Sequence, residues 1–390
     1  MTLEEFTAQL NARTFWKEFT FSSTTFSPPA KSEVELADGL VKIGPLAFVF
    51  QLKQREKETA DPDKERNWFQ RKVLQKAVSQ IRDSLAYLRE HTKIDLTNDQ
   101  GHGFKVAGAQ LQEIMRVIVY QGGRALPEDC RQTKHYVSKT AGFIHVVAAH
   151  DYLGILDKLR VPDDVRLYFQ YREAVLPILA DKGAVVEEPD IMVGFLSEQD
   201  LPKPNSKQQL QFFVQDLDEF DLSPIMRNLQ EHIVNPAGGT EYYRMMEEFA
   251  RVPRSIWRAF KQRFNISFQA SASGQPQKPF RFAFPKTDCT FMIASLDPSW
   301  PSTGEDGLRM RSNAVAMFTE AAKYDLKTNV GVGLVISKDG EFYHMDWCLV
   351  EGPWETDPRI EQLLSDGLFR PAKEKSVDSF LFRGDASESI

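Results

Sequence analysis

Cysteine is scarce in this chain. Only Cys130, Cys289 and Cys348 occur in 390 residues, far apart and with no Cys-x-x-Cys pair, which excludes a disulfide framework and a zinc finger. A reducing, cytoplasmic setting is therefore expected. No apolar run approaches the roughly 18 residues of a membrane span. The opening Met1-Thr2-Leu3-Glu4-Glu5 lacks the basic-then-apolar layout of a secretion signal, so no membrane partner is expected. Positive charge is in deficit: 48 Lys and Arg stand against 55 Asp and Glu, a net charge of −7, so any nucleic-acid contact has to come from a local patch. No repeat of fixed period is visible. What remains is 42% hydrophobic and 11% aromatic residues, enough for a substantial core and, at this length, for more than one domain.

The charges are segregated along the chain. Residues 53–93 hold eleven Lys and Arg against seven Asp and Glu, whereas residues 183–223 hold two against nine. Residues 251–263 carry five basic residues and no acidic one. The acidic stretch is broken by Pro189, Pro202 and Pro204, which interrupt long elements and mark a junction. The expected organisation is a first domain over 1–182, an acidic connecting region over 183–238 and an α+β module over 239–390.

In the first part, Gly39–Ile43 and Leu46–Leu52 read as two strands joined at Gly44-Pro45. Phe69, Val73, Ala77, Ile81 and Leu85 recur every four residues, so Glu65–Glu90 should be a helix laying one face on a sheet. Strands at Met115–Tyr120 and Phe143–Ala148 and helices at Tyr152–Leu159 and Asp163–Leu179 complete a mixed sheet flanked by helices, an α/β fold. In the module, Pro253 should break the helical pattern of Glu241–Phe264. Strands are expected at Phe280–Phe284 and Thr290–Ser295, then a helix near Arg309–Tyr324. A hairpin of Val330–Ser337 and Glu341–Val350 should turn at Lys338-Asp339-Gly340.

The first hairpin carries the chemistry. If the turn is Gly44-Pro45, Ile43 pairs with Leu46, and the same register puts Asp38 opposite Gln51 on one face. Lys53, two residues further, points to that face too. A helical turn over Ser32–Ala37 would bring in Glu35. Asp38, Glu35, the Gln51 amide oxygen and the Leu52 carbonyl are the hard oxygen donors that suit Mg²⁺, with Mn²⁺ as a substitute. Lys53 could orient or deprotonate a water attacking a phosphate. The plain alternative is an Asp38–Lys53 salt bridge at a strand end.

Asp38, twelve intervening residues and then Gln51-Leu52-Lys53 on an apolar strand resembles the PD-(D/E)xK, restriction-endonuclease-like nuclease superfamily, in its Mrr-like variant where Gln-x-Lys replaces the acidic form. The resemblance covers about residues 30–150. It implies a restriction-endonuclease-like sheet, Mg²⁺-dependent hydrolysis of phosphodiester bonds in DNA rather than RNA, and a role in restriction or other defence against foreign DNA. By the same likeness Asp38 is the principal metal ligand, Gln51 and Glu35 are auxiliary ligands and Lys53 acts on the water or the transition state. A decayed nuclease fold serving as a DNA- or protein-binding scaffold is the alternative, and a protein partner or self-association stays open.

Two further segments could contact nucleic acid. Lys72, Lys76 and Gln80 form a row along the helix beside its apolar stripe. Arg254, Arg258 and Lys261 share a helical face next to Trp257, Phe260 and Phe264. Asp216, Asp218, Glu219 and Asp221 read as a charged loop, since the Gly and Glu of a calcium loop are missing. His344, Asp346 and Cys348 alternate along a strand without forming a metal motif, and Gly331-Val332-Gly333 lacks the continuation of a phosphate loop.

Overall fold

The computed structural model describes residues 1–27, 33–232, 239–275, 277–284, 286–300, 303–370 and 380. They form two compact units, Met1–Gln215 and Asp216–Ile390.

Unit 1 opens with helix α1 (Leu3–Phe15), started by a capping box between Thr2 and Glu5. Short strands β1 (Thr20–Phe21), β2 (Thr25–Phe26) and β3 (Val34–Glu35) lead into β4 (Gly39–Ile43) and β5 (Leu46–Gln54). Gly44, at φ 52, takes the left-handed conformation that the tight turn between β4 and β5 needs. The expected long helix is present and runs in three parts: α2 (Pro62–Trp68), capped by Asp61, a wider π-helical stretch over Phe69–Ala77, and α3 (Val78–Glu90). Strands β6 (Ile94–Thr97), β7 (Gly103–Val106) and β8 (Glu113–Gln121) follow, then α4 (Glu128–Arg131), β9 (His135–Ser138) and β10 (Gly142–Ala148). Helices α5 (Ala149–Leu159), α6 (Pro162–Asp181), α7 (Glu188–Leu196) and α8 (Leu210–Val214) close the unit.

The main sheet has the order β1-β4-β5-β8-β10-β9 and is mixed: β5, β8 and β10 are parallel, while β1–β4, β4–β5 and β9–β10 are antiparallel. The parallel centre is buried on both faces, which explains the continuous apolar run of Leu46–Phe50. On one face Ala47, Val49, Ile118 and Val146 pack under the helical stripe of Phe69, Val73, Ala77, Ile81 and Leu85. On the other, Phe48 meets Phe15 and Phe169, and Phe50 meets Tyr152.

Unit 2 begins with α9 (Leu217–Phe220), α10 (Ser223–His232), α11 (Tyr242–Ala250) and α12 (Arg254–Ser273). Pro253 separates α11 from α12 and stands at the α12 N-cap, as the sequence pattern requires. Then come β11 (Phe280–Ala283), β12 (Cys289–Ser295), α13 (Gly304–Leu326), β13 (Val330–Asp339), β14 (Phe342–Glu351) and α14 (Pro358–Ser365). The sheet order is β11-β12-β13-β14, with β12 and β13 parallel. The hairpin turns at Gly340-Glu341, one residue later than expected, with Asp339 paired to Phe342. Gly331 and Gly333 have a packing role, because a Cβ at Gly333 would lie 1.7 Å from Thr319 Oγ1 of α13.

The connecting region expected over 183–238 is corrected. Residues 183–215 belong to unit 1: α7 lies within them, and Glu188 is buried against Arg172 of α6, with Arg172 Nε 2.7 Å from its Oε1. The rest belongs to unit 2, and 233–238 lie outside the described residues. Acidity and proline misled here because Glu187, Glu188 and Glu219 are paired with Lys207, Arg172 and Arg258 of the units they belong to.

Candidate functional site

The β4–β5 ladder has the register that the sequence dictates, Ile43 with Leu46 through Gly39 with Phe50. Asp38 follows directly, its backbone N–H donating to the Phe50 carbonyl at 3.1 Å. Its side chain reaches across: Asp38 Oδ2 accepts from the Leu52 N–H at 2.6 Å and from Lys53 Nζ at 2.9 Å. Lys53 Nζ also donates to the Leu52 carbonyl at 2.8 Å and lies 3.5 Å from Gln51 Oε1. Asp38, Gln51, Leu52 and Lys53 therefore converge. Asp38 and Lys53 side chains are each 12% exposed, so water screens their pairing only partly.

Glu35 reaches the site differently from expectation. The helical turn proposed over Ser32–Ala37 is absent from its described part, where Val34–Glu35 is strand β3, paired with Thr25–Phe26 of β2; Ser32 lies outside the described residues. The alternation of Val34 and Glu35 suits a strand edge, with Val34 packed on the core. Glu35 stands at the rim of a cleft of about 260 Å³ that Asp38 and Leu52 also line. Desolvation in that cleft raises the Glu35 carboxyl above its ordinary range, the neighbouring Asp38 and Glu4 carboxylates add to this, and Lys53 pulls the other way.

The sequence reading missed α1, whose Glu4 and Glu5 line the same cleft together with Asp99. The available signal was the Thr2-x-x-Glu5 capping box. Glu5 is engaged in that box and Asp99 holds the Ser22 N–H and hydroxyl, so Glu4, Glu35 and Asp38 are the acids whose mutual repulsion a cation would relieve. Among the described residues, no group of three or more His, Cys, Asp or Glu side chains is placed to hold a metal ion. Any cation here depends on mixed donors instead. The fit is visible at Lys53: one positive point already sits among a carboxylate, a backbone carbonyl and an amide oxygen.

On the neighbouring helix, Lys72 and Lys76 are exposed and Gln80 is half-buried with an Oε1 that has no partner. One turn on, Ser84 Oγ donates to the Leu36 carbonyl at 2.5 Å and ties the helix to the segment carrying Asp38. That positioning role was not anticipated.

The basic face of α12 is a correction. Arg254 is fully buried, its guanidinium 4.6 Å from the centroid of the Phe220 ring and 5.3 Å from that of Phe380. Arg258 Nε pairs with Glu219 Oε2 at 2.7 Å, and Lys261 Nζ donates to the Asp218 carbonyl. The run Asp216–Asp221, expected to be a loop, contains α9 and covers this face. Arg254, Arg258 and Lys261 thus bind their own unit's acidic segment. Elsewhere in unit 2, His344 pairs with Asp339, Asp346 with Arg311, and Cys348 with Thr319, so the three do not cluster.

A larger cleft of unit 1, about 720 Å³, lies at the ends of β8 and β10 and is lined by Lys134, Asp151 and Glu188. Within it Glu188 is held by Arg172, Lys134 and the Tyr168 hydroxyl. Burial alone would push the Glu188 carboxyl up, but those cations outweigh it and keep it below the ordinary range.

Among the described residues, no helix is long and apolar enough to cross a membrane. No family model, curated protein or solved structure matches the chain.

Proposed function

We propose that unit 1 is a restriction-endonuclease-like nuclease domain and that the chain hydrolyses phosphodiester bonds, in DNA rather than RNA, with Mg²⁺ as its cation. One observation carries the reading: Asp38, Gln51 and the Leu52 carbonyl meet the Lys53 ammonium at the end of a hairpin whose register follows from the sequence. The order of elements supports it as well. In the main sheet, Asp38 precedes the second strand in chain order, β4, and Gln51-Leu52-Lys53 lie on the third, β5. In the superfamily that the chain resembles, the acid belongs to the second core strand and the acid-x-Lys tripeptide to the third.

Asp38, Gln51, Glu35 and the Leu52 carbonyl would hold the cation, which when bound supplies positive charge against the charge that builds on a phosphate. Asp38 Oδ2 is fixed by the Leu52 N–H and orients Lys53. The Lys53 ammonium orients the attacking water or donates to a phosphate oxygen as negative charge grows there. Lys72 and Lys76, exposed on the adjacent helix, offer phosphate contacts. Restriction, or another defence against foreign DNA, is the role this activity would serve.

Cleavage of duplex DNA with Mg²⁺, absent with chelator and absent in Asp38→Ala, is the expected result. Cleavage undiminished in a folded Asp38→Ala variant would refute the mechanism. Gln51 favours a second reading, a scaffold that binds DNA or protein without cleaving it, because a neutral amide stands where an acid would strengthen the cation site. Metal-independent DNA binding with no cleavage would select that reading.

A further inference from the structure

We infer that the Lys53 ammonium is the resident occupant of the cation position in unit 1, so that a divalent cation enters by displacing it. The inference rests on the reading of Asp38, Gln51 and the Leu52 carbonyl as cation donors. It adds an order of events: metal loading and the release of Lys53 toward a phosphate are one coupled step.

Lys53 Nζ lies 2.8 Å from the Leu52 carbonyl, 2.9 Å from Asp38 Oδ2 and 3.5 Å from Gln51 Oε1. Those are the oxygens a hard cation would take, and an ammonium held among them repels a divalent ion that enters at such distances in a site this shielded. The repulsion is relieved when one of the two leaves. Asp38 is not free to turn, because the same Oδ2 accepts the Leu52 N–H at 2.6 Å, and the Leu52 carbonyl belongs to the β5 backbone. The flexible stem of Lys53 is the part that can move. Once displaced, the ammonium needs a new anionic partner, and a phosphodiester supplies one.

Two consequences follow from linkage. Without nucleic acid, apparent cation affinity is reduced by the fraction of molecules in which Lys53 is in place; a latch closed in about nine molecules of ten weakens it about tenfold. With nucleic acid, phosphate draws Lys53 away, and cation and substrate each strengthen the other's binding. The lysine that serves the reaction also keeps the empty site electrically satisfied.

The test is Mg²⁺ titration by calorimetry on the full chain without nucleic acid. Lys53→Met should bind Mg²⁺ about tenfold more tightly than the wild type. Lys53→Arg, which keeps the charge, should stay near the wild type, and Asp38→Asn should lose binding. Equal or weaker binding by Lys53→Met, with Asp38→Asn still defective, would overturn the inference and leave the cation reading standing. Binding by neither wild type nor Lys53→Met would remove the cation reading and the inference with it.

A second measurement needs no variant. Amine acetylation followed by mass spectrometry should modify Lys53 faster when Mg²⁺ is added, with the exposed Lys64 as internal reference. Unchanged or slower labelling of Lys53 relative to Lys64, under Mg²⁺ that calorimetry shows to be bound, would overturn the displacement.

Discussion

Two basic groups that look alike in the sequence are used in opposite ways. In unit 2, Arg254, Arg258 and Lys261 line one helical face, and α9 of the same unit consumes all three through a ring, a carboxylate and a carbonyl. In unit 1, Lys53 donates to oxygens of its own hairpin, and its partner Asp38 lines a cleft where further acids gather. Isolated basic stripes invite a phosphate partner, but an acidic segment upstream in the same unit is a competing partner already tethered at high effective concentration. Charge segregation therefore signals pairing within a unit before it signals nucleic acid.

The comparison predicts unequal costs of breaking charge pairs. Removing Glu188 leaves the fully buried Arg172 without its counter-charge, so Glu188→Ala should cost about 3–5 kcal/mol in urea unfolding. The partner of Arg258 is a half-exposed carboxylate, and Glu219→Ala should cost about 1 kcal/mol or less. A fragment ending at 182 loses Glu188 and should be unstable, whereas one ending at 215 should fold. Equal stability of the two fragments would mean that α7 is not integral to unit 1. Next in size, Asp38→Ala should lower cleavage at least about a hundredfold. Arg258→Ala should change it less than about threefold, since its guanidinium is committed to Glu219. A comparable loss in both would restore α12 to the site.

The hairpin was legible because a two-residue turn and a period of two leave no freedom: once Ile43 faces Leu46, Gly39 must face Phe50. The same register carried on to Asp38 and Gln51 does not hold, because the ladder ends at Gly39 and the Asp38 N–H donates to the Phe50 carbonyl. The helical stripe from Phe69 to Leu85 was legible for the same kind of reason, with all five residues buried as the period demands. Helix α1 was missed because its apolar face is thin and its burial comes from Thr7, Asn11 and Thr14 as much as from Leu3 and Phe15. Strands β1, β2 and β3 are two residues each, too short for alternation to register. Arg254 was misplaced because burying a guanidinium depends on Phe220, more than thirty residues upstream, which no local period reveals.

A sharper form of the comparison sets Lys76 against Lys261. Lys76 is exposed on the helix beside the hairpin, whereas Lys261 donates to the Asp218 carbonyl. If unit 1 presents the phosphate-binding surface, Lys76→Glu should weaken duplex binding about tenfold and reduce the log–log salt slope by roughly 0.9. Lys261→Glu should leave both nearly unchanged. Fluorescence anisotropy at several salt concentrations separates the two, and a larger effect at Lys261 would move the surface to unit 2.

The smallest effect expected is a pH dependence confined to unit 1. His145 is fully buried there, with Arg172 Nη1 3.2 Å from its Nδ1; since arginine can only donate, Nδ1 accepts and the proton of the neutral ring sits on Nε2. Burial, then Arg172, Arg116 and His135 in turn, hold the imidazole well below its ordinary value. Neither His232 nor His344 of unit 2 is buried. In the unfolded chain His145 takes up a proton near its ordinary value of about 6.5, while the folded site resists it. Acidification through that value therefore protonates only the unfolded state, and stability present above it is lost as the pH falls. Between pH 7 and pH 6 the loss attributable to His145 should be about 0.7 kcal/mol. A His145→Gln variant, measured by urea unfolding of the fragment ending at 215, should show a flatter pH slope by that amount even if it is less stable throughout. An identical slope in wild type and variant would show that His145 does take up a proton in the folded state, and that Arg172 does not hold it neutral.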